Sequence, residues 1–314
     1  MLRTDPCPRL AVVFPGQGSQ RPGMARDFFD RSLGARRTFQ EASDVLGLDV
    51  AALCFEDDPR LDQTEHTQPA ILTAEIAMLR ALGEEHDLAP AIFGGHSLGE
   101  YTALVAAGVL PLDVALRIVR RRGALMQDAV PIGEGAMAAI KAPNILERGL
   151  EAILAGLEVA IANENSQDQV VLSGRPGAIE EACRRFAFTG DLPEIVPLKV
   201  SAPFHSPLMR EIEPAFRGAL ADVASHFSPG PAERVVSNLT GAFHLPDTGE
   251  IIDALTRQVS SPVRWVANMK ALAATADRIV EIGPSCPLRI FFKTLGFEVT
   301  AISSVRAAER GLRS

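Results

Sequence analysis

One short segment carries residues that could perform nucleophilic chemistry. Residues 95–99 read G-H-S-L-G, directly after the apolar pair Ile92 and Phe93 and before a run of small and apolar residues typical of a helix. In a strand, turn and helix elbow of the G-x-S-x-G type, the serine is held in strained backbone geometry and its hydroxyl projects above the sheet. We therefore predict that Ser97 is a nucleophile. A chance match in a chain with 25 glycines is the alternative, and the flanking pattern argues against it.

A serine nucleophile needs a base, and the chain has six histidines. His205 is the candidate because it follows an apolar strand pattern and Phe204, where two predicted domains meet. His96 is expected to be structural, since neighbouring side chains on a strand point apart. The other four histidines occur in polar or loop contexts and are expected at the surface: His66, His86, His226 and His244.

A glycine-rich loop at residues 15–20 follows the apolar run at residues 10–14, which is typical of a buried parallel strand. Neither G-x-G-x-x-G nor G-x-x-x-x-G-K-[ST] is present, so a nucleotide site is weakly supported. Backbone N–H groups that are exposed after a first strand could instead form half of an oxyanion hole.

Arginine supplies nearly all of the positive charge, so most arginines are expected to be solvated. A predicted helix at residues 111–129 carries four of them, Arg117, Arg120, Arg121 and Arg122. With a helical period of 3.6 residues these side chains cannot all face one way. One of them can turn inward while the others stay in water.

Shorter elements alternate from residue 134 to residue 203, in the order βαββαβ of a ferredoxin-like unit whose first helix is expected at 143–157. We predict an α/β fold in which this inserted small domain, 134–203, interrupts an α/β-hydrolase-like large domain. The large domain, 1–133 and 204–314, would hold a parallel sheet and the nucleophile elbow. Clefts between domains are favoured binding sites, and His205 lies at such a border.

Composition limits the possible functions. The 314 residues are 47% hydrophobic and 22% charged, which is ordinary for a globular protein, and a net charge of −8 argues against nucleic acid as the main partner. No apolar run approaches the length of a membrane helix, and the four cysteines lack metal-ligand spacing. We expect a cytoplasmic monomer without a metal site.

Taken together, the motifs resemble those of malonyl-CoA:acyl carrier protein transacylases and of the acyltransferase domains of fatty-acid and polyketide synthases. The resemblance covers nearly the whole chain in collinear order, which is more specific than any single motif. The matching segments are F-P-G-Q-G-S-Q at 14–20, T-Q-P-A at 67–70, G-H-S-L-G-E-Y at 95–101, R-G at 122–123 with M-Q at 126–127, G-A-M at 135–137, residues 163–174, P-F-H-S at 203–206 with L-M at 208–209, S-N at 237–238 with T-G at 240–241, and Gln258 with S-P-V at 261–263.

The resemblance implies a ping-pong transfer that uses no bound cofactor. Ser97 would attack the thioester of malonyl-CoA while His205 takes its proton, and the phosphopantetheine thiol of an acyl carrier protein would then attack the malonyl-serine ester. The backbone N–H groups of Gln17 and Leu98 would form the oxyanion hole. Arg122 would pair with the free carboxylate of the malonyl group.

Further site residues follow from the same resemblance. The backbone carbonyl of Gln258 would orient the histidine base, in place of the acidic residue of α/β-hydrolases. Gln68 and Asn165 would line the substrate site, and Asn238 would lie near the base. Phe204 would wall the pocket where a 2-methyl group of the acyl chain would sit.

Two functions other than malonyl transfer are compatible with the sequence. A hydrolase that removes acyl groups from carrier proteins could use the same fold, although its relatives tend to lose the arginine that Arg122 represents. A non-catalytic docking module is the other alternative, but it would not need Ser97, His205 and Gln17 together. The sequence does not separate fatty-acid from polyketide synthesis.

Overall fold

The computed structural model describes residues 9–131, 133–187, 193–198, 200 and 202–312. In this part of the chain there are two four-stranded sheets surrounded by helices. The strands are β1 (Leu10–Phe14), β2 (Ile92–Gly95), β3 (Ala136–Lys141), β4 (Val159–Ser166), β5 (Gln169–Gly174), β6 (Glu194–Pro197), β7 (Arg278–Ile282) and β8 (Val299–Ile302). The α-helices are α1 (Arg26–Arg31), α2 (Leu33–Leu46), α3 (Val50–Phe55), α4 (Thr64–His86), α5 (Gly99–Ala107), α6 (Leu112–Asp128), α7 (Leu150–Leu154), α8 (Pro176–Ala187), α9 (Glu213–Asp222), α10 (Thr248–Gln258), α11 (Trp265–Ala273), α12 (Leu288–Thr294) and α13 (Val305–Gly311).

The first sheet is parallel, with strand order β2-β1-β7-β8. Residues 11–14 of β1 are completely buried, in agreement with the continuous apolar run of this strand. Phe14 at the end of β1 pairs with Gly95 at the end of β2. The loops that leave the two strands therefore start side by side, which brings the glycine-rich loop next to the elbow serine.

The second sheet is antiparallel, with strand order β4-β5-β3-β6. This order, with α7 and α8 packed against one buried core, is that of a ferredoxin-like unit. A mixed α/β fold with one parallel and one antiparallel sheet was predicted, and this fold class is confirmed. The helix predicted at 143–157 is wrong in extent, because a 3₁₀ turn at Ile145–Glu147 and the short α7 are separated by Gly149 at φ 65°.

Backbone hydrogen bonds link β4 of the antiparallel sheet to the segment before α11. Val263 donates its N–H to the carbonyl of Ala162 at 2.8 Å, and Glu164 donates to the carbonyl of Val263 at 2.9 Å. All four strands of the antiparallel sheet lie between residues 134 and 203. The division of the chain into domains at 133 and 203 stays a prediction.

None of the helices in the described part of the chain combines the length and the apolar character that a membrane span requires.

Candidate active site

Ser97 occupies the sharp turn between β2 and α5, with φ 53° in the left-handed region that serine rarely adopts. The two flanking glycines make this turn possible. A Cβ on Gly95 would lie 1.9 Å from the carbonyl carbon of Gly99, and a Cβ on Gly99 would lie 2.2 Å from the carbonyl oxygen of Phe14. Only glycine fits at both positions, so the motif reflects a close approach of α5 to β1 and β2.

His205 lies within hydrogen-bond distance of the predicted nucleophile. Its Nε2 is 2.7 Å from Ser97 Oγ, and its Nδ1 is 2.9 Å from the backbone carbonyl of Gln258, at the end of α10. Because a carbonyl oxygen can only accept, Nδ1 carries the hydrogen and Nε2 is left free to accept the serine proton. Like Ser97, His205 has a left-handed backbone, with φ 56°.

The histidine is neutral in this environment. Burial, and next the positive charge of Arg122, lower the pKa of His205 to about 3. A neutral imidazole with a free Nε2 lone pair is the form that a general base requires.

Arg122 is the one arginine of the α6 set that is fully buried, with 1% of its surface exposed, whereas Arg117 and Arg121 are exposed. Its Nη2 donates to Ser97 Oγ at 3.1 Å, and to the side-chain oxygen of Gln258 at 2.9 Å. Its Nη1 donates to the side-chain oxygen of Gln68 on α4 at 2.9 Å. No carboxylate of the described residues forms an ion pair with this guanidinium.

Close packing of two helices places Arg122 beside Gln68. A Cβ on Gly123 would lie 2.5 Å from the carbonyl oxygen of Thr64, so the first turn of α4 touches the backbone of α6. The guanidinium also lies over the ring of Tyr101, 5.3 Å from its centre. Burial lowers the pKa of Arg122, and the aromatic face partly offsets the cost of burying this cation.

A cavity of about 490 Å³ opens above these side chains. Several residues from the sequence analysis line it: Gln17, Gln68, Ser97, Arg122, Phe204 and His205. The remainder of the lining includes an apolar set, Met126, Met137, Leu198 and Val200, and a polar set, Gly18, Gln20, Asp62, His96 and Asn163. The antiparallel sheet and the segment that follows it therefore supply much of one side of the cavity.

Two backbone N–H groups are available for an oxyanion hole. Gln17 and Leu98 follow β1 and Ser97, and neither N–H donates to a backbone acceptor in the described part of the chain. The side chain of Gln17 donates to Thr64 at 3.1 Å, which ties its loop to α4. The positions fit the predicted role, which stays a prediction.

Two residues expected in the substrate site lie behind it. Asn165 is 6% exposed and its Oδ1 is 2.8 Å from His96 Nε2, so it supports the residue before the nucleophile. Asn238 is fully buried and contacts the elbow instead of the base. Its Oδ1 accepts from the N–H of Ser97 at 2.6 Å, and its Nδ2 donates to the carbonyl of Gly95 at 2.8 Å.

One histidine expected at the surface is buried. His244 has 5% exposure, and its Nε2 is 2.8 Å from a carboxylate oxygen of Glu100, in the first turn of α5. The surface prediction for His244 is wrong, because the loop that carries it pairs with Val235 and turns inward. Glu100 had no assigned role, although it is the one acidic residue in the apolar stretch 92–107, which is the signal that could have singled it out.

Ser97 on its elbow, His205 within hydrogen-bond distance of it and the nearby backbone N–H groups form the arrangement that serine-dependent acyl transfer requires. The comparisons with known proteins narrow this class. The acyl transferase domain family matches residues 11–292. The malonyl CoA-acyl carrier protein transacylase of Escherichia coli (strain K12) is 38% identical over 298 residues, covering 93% of this chain and 94% of the relative. The corresponding protein of Bacillus subtilis (strain 168) is 38% identical, covering 88% and 87%.

Solved structures agree with the sequence relatives. The malonyl CoA-acyl carrier protein transacylase of Coxiella burnetii superimposes with a TM-score of 0.90 at 35% identity, over 98% of each chain. A malonyl-transacylase in complex with a type II PKS acyl-carrier protein superimposes with a TM-score of 0.90 at 35% identity, over 97% of this chain and 99% of the other. The chain belongs to the acyl transferase domain family and, within it, to the malonyl CoA-acyl carrier protein transacylases, so the predicted family is confirmed.

Proposed function

We propose that this protein transfers a malonyl group from malonyl-CoA to the phosphopantetheine thiol of an acyl carrier protein, through a malonyl-serine intermediate. The observation that carries the proposal is the buried guanidinium of Arg122, without a carboxylate partner in the described residues and 3.1 Å from Ser97 Oγ. In a malonyl ester, a single methylene separates the carbonyl carbon from the free carboxylate. An acyl group on Ser97 would therefore place its carboxylate beside a buried cation that has no carboxylate in direct contact among the described residues.

In the first half-reaction, Ser97 Oγ attacks the thioester carbonyl carbon and its proton passes to His205 Nε2. The negative charge that develops on the carbonyl oxygen is stabilised by the N–H groups of Gln17 and Leu98. When the carbon–sulfur bond breaks, the imidazolium returns its proton to the sulfur of coenzyme A. The acyl group remains as an ester on Ser97.

In the second half-reaction, the phosphopantetheine thiol of the carrier protein attacks this ester. His205 takes the thiol proton and gives it to Ser97 Oγ as the ester bond breaks, which restores the enzyme. A relative of this chain has been solved in complex with a carrier protein, which supports this acceptor.

The remaining site residues have supporting roles in this scheme. Gln68 holds one side of the Arg122 guanidinium, and Phe204 walls the cavity next to the base. Asn165 supports His96, and Asn238 fixes the backbone of the nucleophile.

Intact-protein mass spectrometry tests the proposal. Incubation with malonyl-CoA should add one malonyl group at Ser97, and addition of a phosphopantetheinylated carrier protein should move that group to the carrier. Free malonate is measured in the same reaction. Release of malonate that outpaces transfer to the carrier would favour the hydrolase, and absence of the acyl-enzyme would favour a docking module.

We further infer that the protein acts as a monomer in the cytoplasm. Support for the monomer comes from the site, because Ser97, His205, Arg122 and Gln258 are already joined by hydrogen bonds within one chain and the proposed chemistry needs no residue of a second copy. Light scattering coupled to size-exclusion chromatography tests the oligomeric state, and a dimer whose dissociation abolishes acyl loading would contradict the monomer.

The family serves fatty-acid and polyketide synthesis alike. Transfer rates measured with carrier proteins of both pathways would show which pathway this protein serves.

A further inference from the structure

Glu100 is buried directly behind the active site, yet no step of the proposed reaction uses it. It lies three residues after Ser97 and is 1% exposed. One carboxylate oxygen accepts hydrogen bonds from the Gln258 side-chain amide at 2.7 Å and from the N–H of Asn238 at 3.0 Å. The other accepts from His244 at 2.8 Å. A carboxylate is stable at such depth only when its oxygens are satisfied in this way, so the four groups form one unit.

The Gln258 amide lies between Glu100 and Arg122. Its oxygen accepts from Arg122 Nη2 at 2.9 Å, while its nitrogen donates to Glu100 and to the carbonyl of Ser97, the latter at 3.1 Å. A carboxylate only accepts and a guanidinium only donates. The amide therefore has a single orientation that satisfies both neighbours, with its nitrogen towards Glu100 and its oxygen towards Arg122.

A second connection runs from Glu100 through Asn238 to the nucleophile. The backbone N–H of Asn238 is held by Glu100, and its side chain accepts from the N–H of Ser97 and donates to the carbonyl of Gly95. The same carboxylate oxygen thus anchors the residue that holds the left-handed turn at Ser97. Both ends of the acyl-binding geometry, the nucleophile and the cation, depend on this oxygen.

We propose that Glu100 is a positioning residue that sets the preference for acyl groups with a free carboxylate. It fixes the orientation of the Gln258 amide, which holds the Arg122 guanidinium at the distance from Ser97 where the acyl carboxylate lies. This proposal rests on the proposed malonyl transfer, because it takes the ligand of Arg122 to be that carboxylate. Loss of the negative charge weakens the constraint on the amide and gives Arg122 more freedom to move.

The test is the ratio of malonyl to acetyl loading in Glu100→Gln. Loading of the full-length protein from malonyl-CoA and from acetyl-CoA is followed by intact mass. The rate of each reaction is taken from the increase in the fraction of protein that is acylated at Ser97. Glu100→Gln keeps the shape of the side chain and can still offer one oxygen to Gln258, so it is the variant expected to fold. We expect the ratio of kcat/KM values for malonyl-CoA and acetyl-CoA to fall by about tenfold, the effect of weakening one hydrogen bond to a charged group.

Glu75→Gln is the matched control. Glu75 is another fully buried acid, on α4, and it accepts from Thr102 at 2.6 Å without touching the site. Burial raises the pKa of Glu75 well above its usual range, so glutamine resembles its neutral form. This variant should keep the wild-type loading ratio.

The outcomes separate three explanations. Equal losses with both substrates, which leave the ratio at its wild-type value, would mean that Glu100 is only structural. A ratio above that of the wild type would mean that its charge merely competes with malonate for Arg122. Either result overturns the positioning role. In an Arg122→Ala background, Glu100→Gln should leave the ratio unchanged, and a further independent fall would also overturn it. A wild-type protein without a preference for malonyl overturns the proposed function as well, whereas a preference that Glu100→Gln leaves intact overturns this proposal alone.

Discussion

The two sides of the cavity are built on different physical principles. The polar floor is formed by Ser97, Arg122 and His205, which line the cavity, and by Gln258, which contacts all three from behind; these groups are joined at 2.7 to 3.1 Å. The apolar wall, formed by Met126, Met137, Leu198 and Phe204, consists of side chains without N–H or O–H groups, and Met126 Sδ accepts a long hydrogen bond from Gln68 at 3.8 Å.

Groups on the floor are one another's partners, so removal of one leaves another buried and unpaired. The wall is held mainly by packing, and apolar residues of similar volume replace one another at small cost. Substitutions on the floor should therefore reduce activity by about tenfold or far more, and substitutions on the wall should change selectivity by modest factors.

The largest effect is expected at the base. His205→Ala removes the acceptor of the Ser97 proton, and we expect turnover to fall by about four to six orders of magnitude, as in other serine enzymes that lose the nucleophile or the base. Malonyl transfer to a carrier protein, with circular dichroism to verify the fold, is the measurement. His226→Ala, which changes an exposed histidine, should be fully active. Comparable activity of the two variants would remove His205 from the mechanism.

The second largest effect is expected at Arg122, the floor residue that should determine the preference for malonyl over acetyl groups. A charge pair at about 4 Å in an effective dielectric of about 20 contributes roughly 4 kcal/mol, or up to about a thousandfold in the preference for malonyl over acetyl. We expect Arg122→Ala to lose most of this preference while acetyl groups load comparatively better. Arg121→Ala, one residue earlier on α6 and exposed, is the matched control. An unchanged preference in Arg122→Ala would mean that the carboxylate binds elsewhere.

The pH dependence of acyl loading tests whether burial lowers the pKa of His205. A histidine with an ordinary pKa of about 6.5 would be about 97% protonated at pH 5, so loading would fall about thirtyfold from its value at pH 8. The pKa of His205 is lowered to about 3 by burial and by Arg122, and the base therefore stays neutral. We expect kcat/KM for loading to be nearly constant from pH 8 to pH 5. A decrease in kcat/KM with a midpoint near pH 6.5 would show that His205 is more accessible to water than its geometry indicates.

The same pKa shift has a consequence for stability. Below pH 6.5 the histidine of the unfolded chain takes up a proton while the native His205 does not, so unfolding is favoured as the pH falls. The contribution of this residue to the free energy of unfolding should decrease by about 1.4 kcal/mol per pH unit until the native pKa is reached. Denaturant unfolding of wild type and of His205→Asn at pH 6 and at pH 5 measures this contribution. From pH 6 to pH 5, the free energy of unfolding should decrease less in the variant than in the wild type.

The sequence could predict those features of the fold and site that are determined by short-range residue patterns. The elbow at Ser97, the buried β1 and the βαββαβ order are local signals, and the fold class and the family are confirmed. Which arginine of α6 turns inward followed from the resemblance and not from periodicity. It depends on the close contact of Gly123 with α4, which joins residues far apart in the chain.

The supporting network could not be predicted, because its members come from distant segments. Glu100 is separated from Asn238, His244 and Gln258 by more than 130 residues, and no local pattern marks these as its partners. His244 was assigned to the surface from its polar context alone. The side chain of Gln258 was given no role, although its amide makes contacts with Arg122, Glu100 and Ser97.

Gln258 allows the two functions of one floor residue to be separated. Its backbone carbonyl binds His205 and persists in Gln258→Ala, whereas the amide that holds Arg122 is lost. We expect malonyl loading to fall about tenfold, a cost of about 1.4 kcal/mol, with a smaller effect on acetyl loading. Parallel loading assays with both substrates measure this difference. A loss equal to that of His205→Ala in a folded protein would show that the side chain, and not the carbonyl, orients the base.

The smallest effect is expected at the wall. Phe204 is 8% exposed, precedes the base and lines the cavity, so it should occupy the space that a 2-methyl group on the acyl chain would need. A methyl group in an apolar pocket changes binding by only about 1 to 3 kcal/mol, so wild type should prefer malonyl-CoA over methylmalonyl-CoA by about tenfold. Phe204→Ala should narrow this preference by more than Met137→Ala, which changes another wall residue, on β3. Equal efficiency of the wild type with both substrates would contradict the steric role, because the phenyl ring of Phe204 has no N–H or O–H group and can discriminate between the two acyl groups only through volume.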